Sequence, residues 1–150
     1  MLNMLRHLWR FYRCNRKRLR HPYLSNTSIG DLESVSPTAR ITNCKIDGEV
    51  SISDHCVLEE CRLCGGSRVT IGRRSILSGP ISIVAELNSV TIGAFCSIAP
   101  HVEIWEPLHD HRRISTYFMR TAFFGESYKN DMVSSGAVQI GNDVWIGTRA

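Results

Sequence analysis

The sequence predicts an all-β protein whose chain winds into a parallel β-helix of hexapeptide repeats. Three observations point to it. Aliphatic residues recur six apart: Ile46, Ile52, Leu58, then Ile71, Leu77, Ile83, then Ile92, Ile98, Ile104, and finally Ile140, Ile146. Most are followed four residues later by a small side chain, at Val50, Cys56, Ser75, Cys96, Val102, Val144 and Ala150. Directly after the aliphatic stands Gly at 72, 93, 141 and 147. A helix repeats at 3.6 and a half-buried strand at 2, so a short internal repeat of this length signals a solenoid.

In such a coil each hexapeptide makes one short strand and one tight corner, and three of them close a turn. The repeated aliphatic points into the shared core, and stacked turns form ladders of like residues. A corner leaves room only for a small residue and often requires positive φ, which suits Gly, Asn or Asp. Arg62 breaks the small-residue rule after Leu58, so the second coil is expected to be irregular.

Residues 1–24, MLNMLRHLWRFYRCNRKRLRHPYL, read as a basic amphipathic helix, with Leu5, Leu8, Trp9 and Tyr12 at helical spacing. This arm carries the formal charge of +4: its seven Lys and Arg have no acid beside them, which leaves 11 basic against 14 acidic residues elsewhere. Arg and His interrupt the apolar residues too early for a membrane span, and no small-residue cleavage site follows, so a cytoplasmic chain is expected. The helix either caps one end of the coil or docks on an anionic membrane leaflet, making the protein peripheral to the inner face. No nucleic-acid motif accompanies its basic residues, and no nucleic-acid partner is expected.

Residues 25–39, rich in Ser, Asn, Thr and Gly at the start, read as a linker. The β-helix domain then spans 40–150. Its period is interrupted twice. Nine residues separate Ile83 from Ile92, marking a small insertion, and 105–137 keep no register at all, marking one long loop excursion that rejoins the coil near Val138. A loop of that length in a regular solenoid is usually functional.

Of the six cysteines, Cys44, Cys56 and Cys96 fall on the small inward position, where a reduced thiol packs as a compact apolar group. Cys61 and Cys64 have metal-ligand spacing, but no second such pair or nearby His pair completes a zinc site. No metal is expected, and the thiols indicate a reducing compartment.

Taken together, TIGAFCSIAPHVEI, the loop phrase HDHRRISTYF and VQIGNDVWIG resemble the hexapeptide-repeat acyltransferases, within them the branch of xenobiotic and sugar O-acetyltransferases. The resemblance covers roughly 40–150 and implies a left-handed coil, where the general crossover rule would give the opposite hand. It implies acetyl-CoA as co-substrate, bound between subunits of a homotrimer, and a His as general base on an acceptor hydroxyl, with direct transfer. The acceptor would be a sugar, as in a surface polysaccharide, or a similar small hydroxyl compound.

By that resemblance the base falls on His109. Spacing alone does not choose between His109 and His111, because residues two apart on an extended segment face the same way. Ser115, Thr116 and Tyr117 would shape the acceptor pocket or pin the loop. Trp145, Gly147 and Thr148 would line the CoA groove, and equally belong to a well-formed coil. His101 reads as a surface corner residue.

Relatives in this family continue past the VWIG phrase for further coils, so a chain ending at Ala150 reads as a C-terminally truncated product, with the activity of the piece left open. Two other classes share the prism. Resemblance to the γ-type carbonic anhydrases would make His109 and His111 zinc ligands across a subunit interface, and a non-catalytic trimeric remnant would bind no CoA.

Overall fold

An aliphatic side chain every sixth residue is buried only if successive turns stack, and in a computed structural model describing residues 24–29 and 34–150 they do. The chain forms a parallel β-solenoid of about four turns. Its strands are β1 (Leu24–Ser25), β2 (Ser28–Ile29), β3 (Arg40–Thr42), β4 (Lys45–Ile52), β5 (Val57–Ile71), β6 (Ile76–Ala85), β7 (Val90–Ile92), β8 (Ser97–Ile98) and β9 (Val102–Trp105). The long loop follows, with β10 (Leu108–His109), α1 (Met119–Phe124) and β11 (Met132–Val133), before β12 (Val138–Ile140) and β13 (Trp145–Ile146) return to the coil.

Three ladders run up the interior. Leu24, Ile41, Leu58, Leu77, Ile98 and Ile146 stack in register on the first face. Ile29, Ile46, Leu63, Ile83 and Ile104 form the second. Val35, Ile52, Ile71, Ile92 and Ile140 form the third. From Ile41 through Ile98 these positions are sealed from solvent, and burying each such side chain is worth roughly 1.5–3 kcal/mol.

Two expectations are corrected here. Of the span read as a linker, the described residues 25–29 and 34–39 join the solenoid instead: β1 pairs with β3, β2 with β4, and Val35 bridges to Ile52. Its Asn and Thr serve the coil, Asn26 at φ 45° and Thr27 with its hydroxyl accepting the Cys44 amide at 3.2 Å. The positive φ values also do not fall on the repeat glycines. At non-glycine positions they fall on the residue just before the small inward one, as at Asn43, His55, Glu60, Arg74, Phe95, His101 and Asp143.

The glycines answer a different need, close stacking of backbone on backbone. A Cβ on Gly72 would lie 2.5 Å from the Gly93 carbonyl carbon, and one on Gly93 would lie 2.4 Å from the Gly141 oxygen. The corner residue itself points outward, so even Phe95 and Arg74 are accepted there, with the Arg73 guanidinium 5.5 Å from the Phe95 ring centre.

The irregularity expected at Arg62 has a simple origin. Cys61, three residues after Leu58, takes the inward place and pairs with Ile81, while Arg62 faces outward. Cys44, Cys56, Cys61 and Cys96 are all buried free thiols. The small inward residues after the third ladder also donate: Cys56 Sγ to Gly72 O at 3.1 Å, Ser75 Oγ to Gly93 O at 2.7 Å, and Cys96 Sγ to Gly141 O at 3.1 Å. Cys64, half-exposed, lies on the outer side of its strand, away from Cys61.

The corner between the second and third ladders widens up the stack. One residue, Glu49, separates Gly48 from Val50; three separate the paired Gly65 from Val69; four separate Ala85 from Val90. In the next turn the same corner opens into the loop between Trp105 and Val138. The amphipathic helix expected over 1–24 lies outside the described residues, apart from Leu24 in β1. Among the described residues, no helix is long and apolar enough to cross a membrane.

Candidate functional site

The loop is seated on the corner beneath it by charge. Buried Glu106 accepts the Glu86 amide at 3.1 Å and the Leu87 amide at 2.9 Å through Oε2, and the Asn88 side chain at 3.1 Å through Oε1. Burial opposes its charge, but Ser134, the Leu87 amide and Asn88 outweigh it and hold the carboxyl below its ordinary value. On the return path Lys129 Nζ donates to Glu86 O at 2.8 Å and Gly66 O at 3.1 Å, and the Tyr128 hydroxyl donates to Glu86 Oε2 at 2.7 Å. That bond to a carboxylate pushes the phenol up.

Within the loop β10 and β11 pair antiparallel, Leu108 with Val133 and His109 with Met132. His109 is exposed, and its Nδ1 lies 2.8 Å from the Thr116 carbonyl oxygen. A carbonyl oxygen can only accept, so Nδ1 carries the proton. In the neutral ring, Nε2 then bears the lone pair. Phe118 meets the imidazole edge-on, with ring centres 4.9 Å apart at 87°. Backbone pairing, one hydrogen bond and one aromatic edge therefore fix this ring.

Around it lies a knot of charge that the sequence reading missed. Asp110, 6% exposed, accepts Arg112 Nε at 2.9 Å and Arg113 Nε at 2.9 Å. The Arg112 side chain, aided by Arg113 and opposed by burial, holds its carboxyl well below the usual carboxylate range. Asp131, 4% exposed, accepts the Arg120 amide at 3.2 Å and both the amide and hydroxyl of Thr121 at 2.9 Å. Burial opposes its ionisation too, and the Thr121 donors, the Arg120 amide and Arg113 together keep it lowered. A signal existed: Asp110 alternates with His109 and His111, so two outward histidines imply an inward acid, and a buried acid needs a cation.

The other expected site residues divide. Thr116 serves the site through its backbone carbonyl, while Ser115 Oγ accepts the Tyr117 amide at 3.1 Å and so pins the turn. Tyr117 is exposed, its ring 6.4 Å from that of Phe123. His111 is exposed and, among the described residues, makes no hydrogen bond. His101 sits at an exposed corner with φ 64°. Trp145, Gly147 and Thr148 lie on and just after β13 of the first face, the Trp145 ring exposed and 3.6 Å from a Cβ placed on Gly147. The loop springs from a different corner. No hydrogen bond or ring contact joins the two groups among the described residues.

Also among the described residues, no group of three or more His, Cys, Asp and Glu is gathered as a metal ion would need. In comparisons with known proteins, no family model matches the chain, and no match was found among curated proteins or solved structures. What the site offers is therefore set by its own geometry: an exposed imidazole held at Nδ1 by the Thr116 carbonyl oxygen.

Proposed function

We propose that the chain is an acetyl-CoA-dependent O-acetyltransferase of the hexapeptide-repeat type, with a left-handed coil, acting on a hydroxyl of a sugar or similar small acceptor. The observation that carries this reading is the hydrogen bond from His109 Nδ1 to the Thr116 carbonyl at 2.8 Å. A hydroxyl is a poor nucleophile at neutral pH, and a neutral imidazole with its lone pair on Nε2 is suited to relieve it of its proton as it attacks.

The steps balance without an acyl-enzyme. The hydroxyl oxygen bonds to the thioester carbonyl carbon while its proton passes to Nε2. The tetrahedral adduct then expels the CoA sulfur, which recovers that proton from the imidazolium. In this reading Ser115 and Tyr117 border the acceptor, and Trp145, Gly147 and Thr148 border the CoA arm. Because the loop and β13 lie on different parts of one prism, a complete site calls for two adjacent copies, in keeping with a homotrimer.

Acceptor-dependent release of the CoA thiol tests the proposal, measured with acetyl-CoA and a panel of sugars. Thiol release that requires an acceptor is the expected result. No binding of CoA by calorimetry together with no acceptor-dependent release would refute it.

A further inference from the structure

We propose that Asp131, acting through Arg113, is the positioning device that sets the tautomer and orientation of His109. The proposal deepens the acyltransfer reading and rests on it for its kinetic part alone. It starts from the register of β10 and β11. His109 pairs with Met132, so the next residues, Asp110 and Asp131, face each other beyond the last pair. Two buried carboxylates in that relation repel unless a cation stands between them. Arg113 stands there, donating from Nε to Asp110 Oδ2 at 2.9 Å, from Nη1 to Asp131 Oδ1 at 3.5 Å and from Nη2 to Asn130 O at 2.9 Å.

The same Asp131 holds the amides of Arg120 and Thr121 at the start of α1. One carboxylate therefore ties both ends of the segment 114–119, at Arg113 on one side and at Arg120 and Thr121 on the other. Inside that closed segment lie the two groups that fix the imidazole, the Thr116 carbonyl and the Phe118 ring. Releasing either end lets the Thr116 carbonyl leave Nδ1. The proton of a neutral imidazole is then free to redistribute to Nε2, which removes the lone pair from the working nitrogen. Arg112, by contrast, bonds only to Asp110 among the described residues and is largely exposed, so it closes nothing.

Nitrogen-15 NMR of the His109 ring reads this directly. The wild type is expected to show Nδ1–H. Arg113→Ala and Asp131→Asn, the second nearly isosteric, are expected to lose it to a tautomer mixture while circular dichroism shows the coil intact. Arg112→Ala is expected to retain it. In acetyl transfer the first two variants are expected to lose about 100-fold in kcat, the scale of a small misplacement of a catalytic group, with KM for acetyl-CoA unchanged. Persistence of Nδ1–H in both Arg113→Ala and Asp131→Asn would overturn the proposal, as would equal loss in Arg112→Ala. A wild type without acetyl transfer whose variants still lose the tautomer would uphold the positioning and refute the acyltransfer reading.

Discussion

Glu106 caps the corner one turn below it by accepting the Leu87 amide at 2.9 Å, and so fastens the start of the long loop to the solenoid. Glu106→Ala leaves the part-buried Glu86 and Leu87 amides without their acceptor, at a cost of about 1 kcal/mol, the low end for an unsatisfied donor that water can partly reach. Because the folded carboxyl sits below its ordinary value, its contribution is present above 4.5 and is lost as pH falls through the folded value. Thermal unfolding of wild type and variant should therefore differ at neutral pH and converge in acid. A gap that stays constant across that range would show that the charge does not hold the corner.

Gly93 and Gly141 occupy equivalent places one turn apart. A Cβ on Gly93 would meet the Gly141 oxygen at 2.4 Å, whereas one on Gly141 meets nothing within 4 Å among the described residues. Gly93→Ala is expected to lower stability by about 1–3 kcal/mol, the usual range for forcing extra atoms into a packed region. Gly141→Ala is expected to stay within about 0.5 kcal/mol of wild type. Equal effects in thermal melts would contradict the close stacking of the turns.

Ser75 both donates to Gly93 O at 2.7 Å and accepts the Cys96 amide at 3.0 Å. Removing the hydroxyl in Ser75→Ala strands that buried amide, so a loss of roughly 1–3 kcal/mol is expected. Ser75→Cys, which matches its neighbours Cys56 and Cys96 on the same ladder, should lose less. Denaturant titration ranks the two, and a Cys variant no better than Ala would mean that a thiol does not replace the hydroxyl's hydrogen bonds in this column.

The core of this fold was legible because burial enforces it residue by residue. Every aliphatic from Ile46 to Ile98 at the six-residue spacing is sealed inside, since a solenoid has only one interior for them. The corners were less legible. The residue at positive φ points outward and contacts little, so His55, Arg74 and Phe95 carry no common mark. The described residues of 25–39 misled for a related reason, since with few large aliphatics they have the composition of a linker. In the loop, His109 stood out by its phrase as a candidate. Asp131 and Arg113 could not be paired, being eighteen residues apart with no period to bring them together.

Substitution of the two loop histidines tests the central claim most directly. His109→Ala is expected to lower kcat for acetyl transfer by roughly 10² to 10⁴, the scale of a lost general base, with CoA binding retained. His111→Ala is expected to cost far less, because His111 makes no hydrogen bond among the described residues. A larger loss in His111→Ala than in His109→Ala would move the base to His111. Full activity in both would contradict a catalytic role for this loop.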